Sequence, residues 1–207
     1  MQFKRPVLLA PMVALALLLA FAGWEACKYQ VVPRRFGIVE RDKIFRSGRI
    51  APHLMRETLL RHNIKVVVDL TDSDPANSSV QAERKAVEEL GITRYNFPLC
   101  GDGTGNITNY ANAIAAIARS RSENKPVLVH CAAGAQRTGG AIAAYRLLVE
   151  KQLPETVSSE LARYGWKPRK DKILLEYLNA HMAELNALLQ DMQIIRREKR
   201  SIPKITP

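Results

Sequence analysis

Residues 126–138 read Pro126-Val127-Leu128-Val129-His130-Cys131-Ala132-Ala133-Gly134-Ala135-Gln136-Arg137-Thr138. Pro126 to His130 has the pattern of a short buried strand, and Thr138 to Glu150 is helical by pattern, so the residues between form a strand-to-helix turn. A chain entering a helix in this way points several backbone N–H groups into one small space. Gly134 permits the sharp curl such a turn needs. The peptides of Ala132, Ala133, Gly134, Ala135, Gln136 and Arg137 are therefore expected to cradle a phosphate or sulfate dianion. Arg137 can close that cradle with a planar, two-pronged guanidinium. Cys131 falls at its floor, where helix N–H groups and Arg137 favour the thiolate over the thiol. A thiolate beside a bound phosphorus is poised for in-line attack, with Thr138 placed to hydrogen-bond the sulfur.

Working outward, short apolar strands alternate with helices. Lys65 to Leu70 is a β-branched run ending in the turn cluster Thr71-Asp72-Ser73-Asp74. Ser78 and Gln81 match a capping box for a helix through Leu90, stopped by Gly91. Ile92 to Phe97 reads as a strand ended by Pro98, and the glycine-rich loop Cys100-Gly101-Asp102-Gly103-Thr104-Gly105 follows. Tyr110, Ile114 and Ile117 share one face of the next helix, and Pro154 opens another that ends near Gly165. This alternation predicts an α/β fold with a mainly parallel central sheet and helices on both faces. A last helix is expected from Asp171 to Arg200. Its stripe Leu174, Leu178, His181, Leu185, Leu188, Met192 and Ile195 has the 4-3 spacing of a seam. That stripe fits a homo-oligomer, or a first half packed on the domain with the second half projecting; we expect the latter.

The chain has 207 residues, 31 Lys+Arg against 20 Asp+Glu, and 3 Cys. Ordinary apolar and charged fractions exclude a collagen-like, wholly disordered or polytopic membrane chain. So few cysteines exclude a disulfide scaffold and most structural zinc sites, and neither a metal nor a cofactor is expected. The net charge of +11 suggests an anionic partner. No aromatic residues interleave with the basic clusters Lys28, Arg34, Arg35 and Arg196, Arg197, Lys199, Arg200, Lys204, which argues against nucleic acid. Lys4 and Arg5 precede an uncharged apolar run from Val7 to Gly23. It suggests a single membrane anchor, or a signal peptide that would export the rest.

The loop resembles the active-site loop of the cysteine-dependent protein tyrosine and dual-specificity phosphatases: His-Cys, five residues, Arg, then Ser or Thr. His130, Cys131, Gly134, Arg137 and Thr138 match it. Ile44-Phe45-Arg46-Ser47-Gly48, followed by the strand ending Asp69-Leu70, is similar to the opening of the compact atypical dual-specificity phosphatases. The resemblance covers roughly residues 36–180. It implies a phosphomonoester hydrolase that works through a phosphocysteine on a phosphorylated protein or a small phosphate ester. Such chemistry needs a general acid. Asp102 suits it, in a glycine-rich loop at a spacing upstream of Cys131 similar to the family's acid loop; Asp72 and Asp74 are rivals. The resemblance implies that His130 orients the loop and helps hold the thiolate, and Asp69 reads as structural. Ala135 and Gln136 stand where phosphatases of inositol phosphates often carry Lys, which argues against a highly phosphorylated inositol.

Other readings are a membrane-tethered module that binds phosphate without turnover, a rhodanese-like sulfurtransferase, and a merely buried cysteine. Arg169 and Asp171 are similar to a family element near the pocket but read first as a surface pair, Cys27 and Cys100 read as incidental, and Asn77 and Asn106 open Asn-x-Ser/Thr triplets. The expected organisation is a signal or anchor with a basic flank over 1–35, a phosphatase domain over 36–180, and a helical extension with a basic tail over 181–207.

Overall fold

The computed structural model describes residues 9–197 and 201–206. The strands are β1 (Gly37–Glu40), β2 (Ile44–Ser47), β3 (Val66–Asp69), β4 (Thr93–Asn96) and β5 (Val127–His130). The helices are α1 (Leu9–Val31), α2 (Pro52–Arg61), α3 (Ser78–Glu89), α4 (Ile107–Ser122), α5 (Gln136–Leu148), α6 (Pro154–Arg163) and α7 (Lys172–Asp191). The five strands form one sheet in the order β1-β2-β5-β3-β4. All neighbours are parallel except β1, which pairs antiparallel with β2. Side chains alternate across a strand, so the apolar runs divide between two layers. Phe45, Val67 and Leu128 face Met55 and Leu59 of α2 and Ala86 and Val87 of α3. Ile44, Val66, Val68, Val127 and Val129 face the layer built by α4, α5, α6 and α7. Helices therefore cover both faces, as the alternation of elements requires.

Several details differ from the sequence reading. The cap of α3 is Asn77, whose side chain accepts from the Ser79 N–H at 3.0 Å, rather than Ser78. Asn106 does the same for α4, accepting from the Thr108 N–H at 2.8 Å. Both Asn-x-Ser/Thr triplets are thus helix starts, whose asparagine oxygens satisfy N–H groups that the helix itself leaves open. α7 ends at Asp191 rather than Arg200. Gln193 takes a positive φ of 59°, and the Ile194 N–H turns back onto the Leu189 carbonyl at 2.9 Å. The proposed seam is spent inside the chain: Leu174, Leu178 and Leu185 are buried, and Leu188, Met192 and Ile195 pack against the same core. The second half therefore does not project. The tail returns along α7, with Ile205 buried and its backbone held from both sides by the Asn179 amide at 2.9 Å. Residues on both sides of position 180 share one core.

The membrane anchor is overturned, because no helix among the described residues is long and apolar enough to cross a membrane. A span needs about 20 apolar residues. Within α1 the uncharged stretch runs from Leu9 only to Trp24 before Glu25 and Lys28 enter, and those two pair at 2.5 Å. Lys4, Arg5 and Val7 lie outside the described residues. The membrane as partner and membrane localisation rested on this run as a span and fall with it.

Removing an N-cap oxygen from an otherwise intact helix has a known scale, about 1 kcal/mol. Asn106→Ala should therefore lower stability by about 1 kcal/mol in a urea titration, with an unchanged m-value.

Candidate active site

The carboxyl ends of three parallel strands meet at one level. Ser47 of β2 and Asp69 of β3 both stand opposite His130 of β5. The chain leaves β5 at this edge and enters α5 through residues 131–135, so the turn lies where open α/β sheets place their ligand sites. Gly134 adopts φ +74° at its centre. A Cβ there would stand 2.5 Å from the Gly48 nitrogen, and one on Gly48 would stand 2.9 Å from the Ala133 carbonyl carbon. The two glycines let the backbones of β2 and the turn touch.

Three successive carbonyls of the turn are engaged by its surroundings. The Ala132 carbonyl accepts from the Arg49 N–H at 3.0 Å. The Ala133 carbonyl accepts from Arg35 Nη1 at 2.8 Å, and the Gly134 carbonyl from Arg46 Nη2 at 3.0 Å. By contrast, the N–H groups of Ala132, Ala133 and Ala135 donate to no acceptor among the described residues. Gln136 and Arg137 open α5, where helix N–H groups lack intrahelical partners. The turn thus presents a run of unpaired donors over Cys131, an arrangement that receives an anion.

Cys131 is buried, and its Sγ accepts from the Gly134 N–H at 3.1 Å. Burial alone would push the thiol pKa up. The Thr138 hydroxyl and N–H, the Gly134 N–H and the charge of Arg137 outweigh it, and the pKa lies below the ordinary value. Thr138 is fully buried, whereas Arg137 is half-buried, its Nη1 3.5 Å from the Leu99 carbonyl. Ala132, Ala133 and Gln136 are partly exposed, and Ala135 is buried. Among the candidates, the fold brings together Cys131, Gly134, Arg137, Thr138 and His130.

Asp102 sits in the loop after β4 and is exposed. Its carboxylate accepts from the Thr104 N–H at 2.9 Å and the Thr104 hydroxyl at 2.8 Å, and these donors hold its pKa below the usual carboxylate value. The loop is pinned rather than loose. The buried Tyr110 hydroxyl donates to the Gly103 carbonyl, and the Tyr177 hydroxyl to the Gly105 carbonyl at 2.5 Å. Gly103 has φ +92° and leaves no room for a Cβ beside Leu174. The rivals Asp72 and Asp74 are exposed, and Asp74 caps the Ala76 N–H at 2.9 Å. Asp69 is buried and accepts from the Thr71 N–H, the Ser73 hydroxyl and Arg94. Cys27 and Cys100 are exposed and free. The Arg169–Asp171 pair does not form among the described residues; Asp171 instead accepts from the Lys167 N–H at 2.8 Å.

Sequence reasoning missed four supports. Arg46 is 1% exposed, stacks on the Tyr164 ring at 3.9 Å, and is pushed down by burial to about 10. An arginine inside an apolar strand was a usable signal, because such a charge is retained only with partners. Arg35 packs on Gly165 and ties the segment before β1 to the turn, so the boundary drawn at residue 36 cuts through a contact of the site. Glu83 and Arg94 complete a buried cluster with Asp69 and His130. Asp69, Glu83 and His130 have the donor types and closeness of a metal site. Arg94 already supplies the cation there, at 2.5 Å from Asp69 and 2.7 Å from Glu83, so the donor set is neutralised without one.

Residues 45–151 match a family model described as "Polymorphic toxin system, DSP-PTPase phosphatase". The dual specificity protein phosphatase OPG106 of vaccinia virus (strain Western Reserve) is 40% identical over 71 residues, covering 34% of this chain and 42% of that protein. The chain thus spans less than half the length of that curated relative. Among solved structures, TpbA of P. aeruginosa superposes with a TM-score of 0.59 at 19% identity, over 74% of this chain and 89% of that one. The core catalytic domain of the PP-IP phosphatase SIW14 from S. cerevisiae superposes with a TM-score of 0.60 at 18% identity, over 80% of this chain and 97% of that one. At these identities the likeness is one of fold.

The close approach of Gly48 and Gly134 gives a direct test of the cradle. Gly134→Ala adds a Cβ against backbone at a positive φ, a strain on the order of 1–3 kcal/mol. It should lower the melting temperature and weaken binding of inorganic phosphate or vanadate, measured by calorimetry. Retention of both would show that the turn does not need this curl.

Proposed function

We propose that this chain, which belongs to the polymorphic toxin system DSP-PTPase phosphatase family, hydrolyses phosphate monoesters through a phosphocysteine at Cys131. The carrying observation is the turn over Cys131: the carbonyls of Ala132, Ala133 and Gly134 are tied outside by Arg49, Arg35 and Arg46, while the N–H groups of Ala132, Ala133 and Ala135 stay unpaired and that of Gly134 points at the sulfur. A phosphoryl dianion seated on those donors places phosphorus over the sulfur. Arg137 spans two phosphate oxygens and follows them into the transition state. As the S–P bond forms, the P–O bond to the leaving group breaks, and Asp102 delivers a proton to the departing oxygen. In the second step water attacks phosphorus, the Asp102 carboxylate takes its proton, and the sulfur leaves as a thiolate held by Thr138 and the Gly134 N–H.

The substrate class is a phosphorylated protein or a small phosphate ester. The buried Ala135 methyl and the uncharged Gln136 give the rim none of the cations a highly phosphorylated inositol would recruit at these positions. A second structure of P. aeruginosa TpbA, a variant form, is in complex with pTyr, which supports testing an aryl phosphate first.

The nucleophile and the clamp are tested together. Cys131→Ser should abolish turnover of an aryl phosphate while keeping vanadate affinity, because the cradle and Arg137 persist. Arg137→Lys keeps the charge but loses the fork, and turnover should fall at least about a hundredfold. Activity within about tenfold of wild type for the serine variant would reject the phosphocysteine.

The acid is tested by leaving group and by pH. Asp102→Ala should cripple turnover of phenyl phosphate and spare an activated ester whose leaving group departs without a proton. The rate should rise with pH as Cys131 ionises and fall as Asp102 loses its proton. The Thr104 hydroxyl favours the carboxylate, so its removal raises the Asp102 pKa and keeps the acid protonated to higher pH. Thr104→Val should therefore move the basic limb of the phenyl phosphate profile upward. An unmoved limb would assign it to another group.

A further inference from the structure

The buried cluster behind the turn is not used by the steps above. His130 Nε2 lies 2.8 Å from Glu83 Oε2 and 3.9 Å from Asp69 Oδ1. Arg94 bridges the two carboxylates from β4 and also contacts the Ser73 hydroxyl at 2.6 Å. Glu83 is 3% exposed and His130 is 6% exposed, so solvent screens the pair little. Glu83 comes from α3, far in sequence from the turn. A buried carboxylate at hydrogen-bond distance from a buried imidazole favours the imidazolium.

We propose that Glu83 is a positioning residue for Cys131: it holds His130 as an imidazolium beside the thiolate and so keeps the nucleophile ionised. This rests on the phosphocysteine reading. The groups facing the pair are Asp69 from β3, Arg94 from β4 and Cys131 itself; those facing Cys131 are Arg137 from α5, Arg46 from β2 and the buried Tyr110 of α4. Two carboxylates and two cations balance inside the cluster, and His130 is the member that directly precedes Cys131 in the chain and responds to its charge. Burial alone would lower the His130 pKa, but Glu83 above all, with Asp69 and Cys131, raises it to about 9. Burial likewise opposes the Glu83 carboxylate, and His130 and Arg94 bring its pKa down to about 2. Folding raises the histidine, so the stability it contributes is full below about pH 6.5 and is lost as pH rises through about 9.

The test uses the full chain and the pH dependence of iodoacetamide alkylation, read at the Cys131 peptide by mass spectrometry. Glu83→Gln should raise the alkylation midpoint by about one pH unit, the scale of losing one nearby opposite charge. The acidic limb of kcat/KM for an aryl phosphate should move with it, and Glu83→Asp should restore most of the shift. A folded Glu83→Gln protein with an unmoved midpoint overturns the proposal. If that variant does not fold, NMR titration of His130 in the wild-type chain decides. An imidazolium that persists past about pH 8 supports the proposal, and deprotonation near the ordinary value of about 6.5 overturns it. Neither alkylation nor NMR needs turnover. A shifted midpoint in a chain that hydrolyses no phosphate ester would reject the phosphocysteine reading and leave the effect of Glu83 on Cys131 standing.

Discussion

The site depends on one constraint: a backbone turn that must curl tightly enough to turn its N–H groups toward the space over Cys131 without collapsing onto its own carbonyls. Five residues cannot impose that alone, because unpaired peptide groups are costly. The surrounding fold imposes it by occupying the carbonyls of Ala132, Ala133 and Gly134. Arg35 reaches Ala133 from the segment before β1, Arg46 reaches Gly134 from inside β2, and the Arg49 N–H reaches Ala132. Gly48 and Gly134 remove the side chains that would hold these pieces apart.

Charge placement follows the same logic. Arg46 spends its cation on Tyr164, Glu160 and the turn, and is fully buried, so it stiffens the cradle without entering it. Arg137 stays half-buried and makes no ion pair among the described residues, which leaves a guanidinium available at the mouth. Behind the turn, Arg94 and His130 neutralise Asp69 and Glu83 where an unpaired carboxylate would be costly. The acid loop is organised differently. Tyr110 and Tyr177 fix its glycine carbonyls, while Asp102 remains at the exposed tip, satisfied by Thr104. The catalytic parts proposed here therefore differ in setting, with the nucleophile buried in its turn and the acid on the exposed side of a pinned loop.

Much of this was legible before any coordinates. Strands β3, β4 and β5 and helices α3, α5 and α6 fall within a residue or two of their predicted ends, because each is a contiguous run whose periodicity is set locally. The nucleophile turn was legible for the same reason: Cys131, Gly134, Arg137 and Thr138 lie within eight consecutive residues. Errors arose where contiguity misled. The Val7–Gly23 run has the composition of a span but not, among the described residues, the length. The α7 stripe has the spacing of a seam, yet the domain itself uses it, since periodicity cannot say which surface an apolar face will meet. Ser78 looked like a cap, but Asn77, one residue earlier, holds the orphan N–H.

By itself the sequence determined the element types, the α/β class, and the turn that seats an anion over a cysteine, since all three follow from local backbone preferences and neighbouring residues. Only the tertiary structure decided which strands lie side by side, and with that which distant residues reach the turn. Arg35, Glu83 and Arg94 carry no local pattern that marks them, and Arg46 within an apolar strand signals only that it needs a partner, because their roles arise when β2, β3, β4 and α3 close around the end of β5. A buried charge acquires its meaning from its partner, and the partner's position is a property of the packed chain, not of the sequence interval between them.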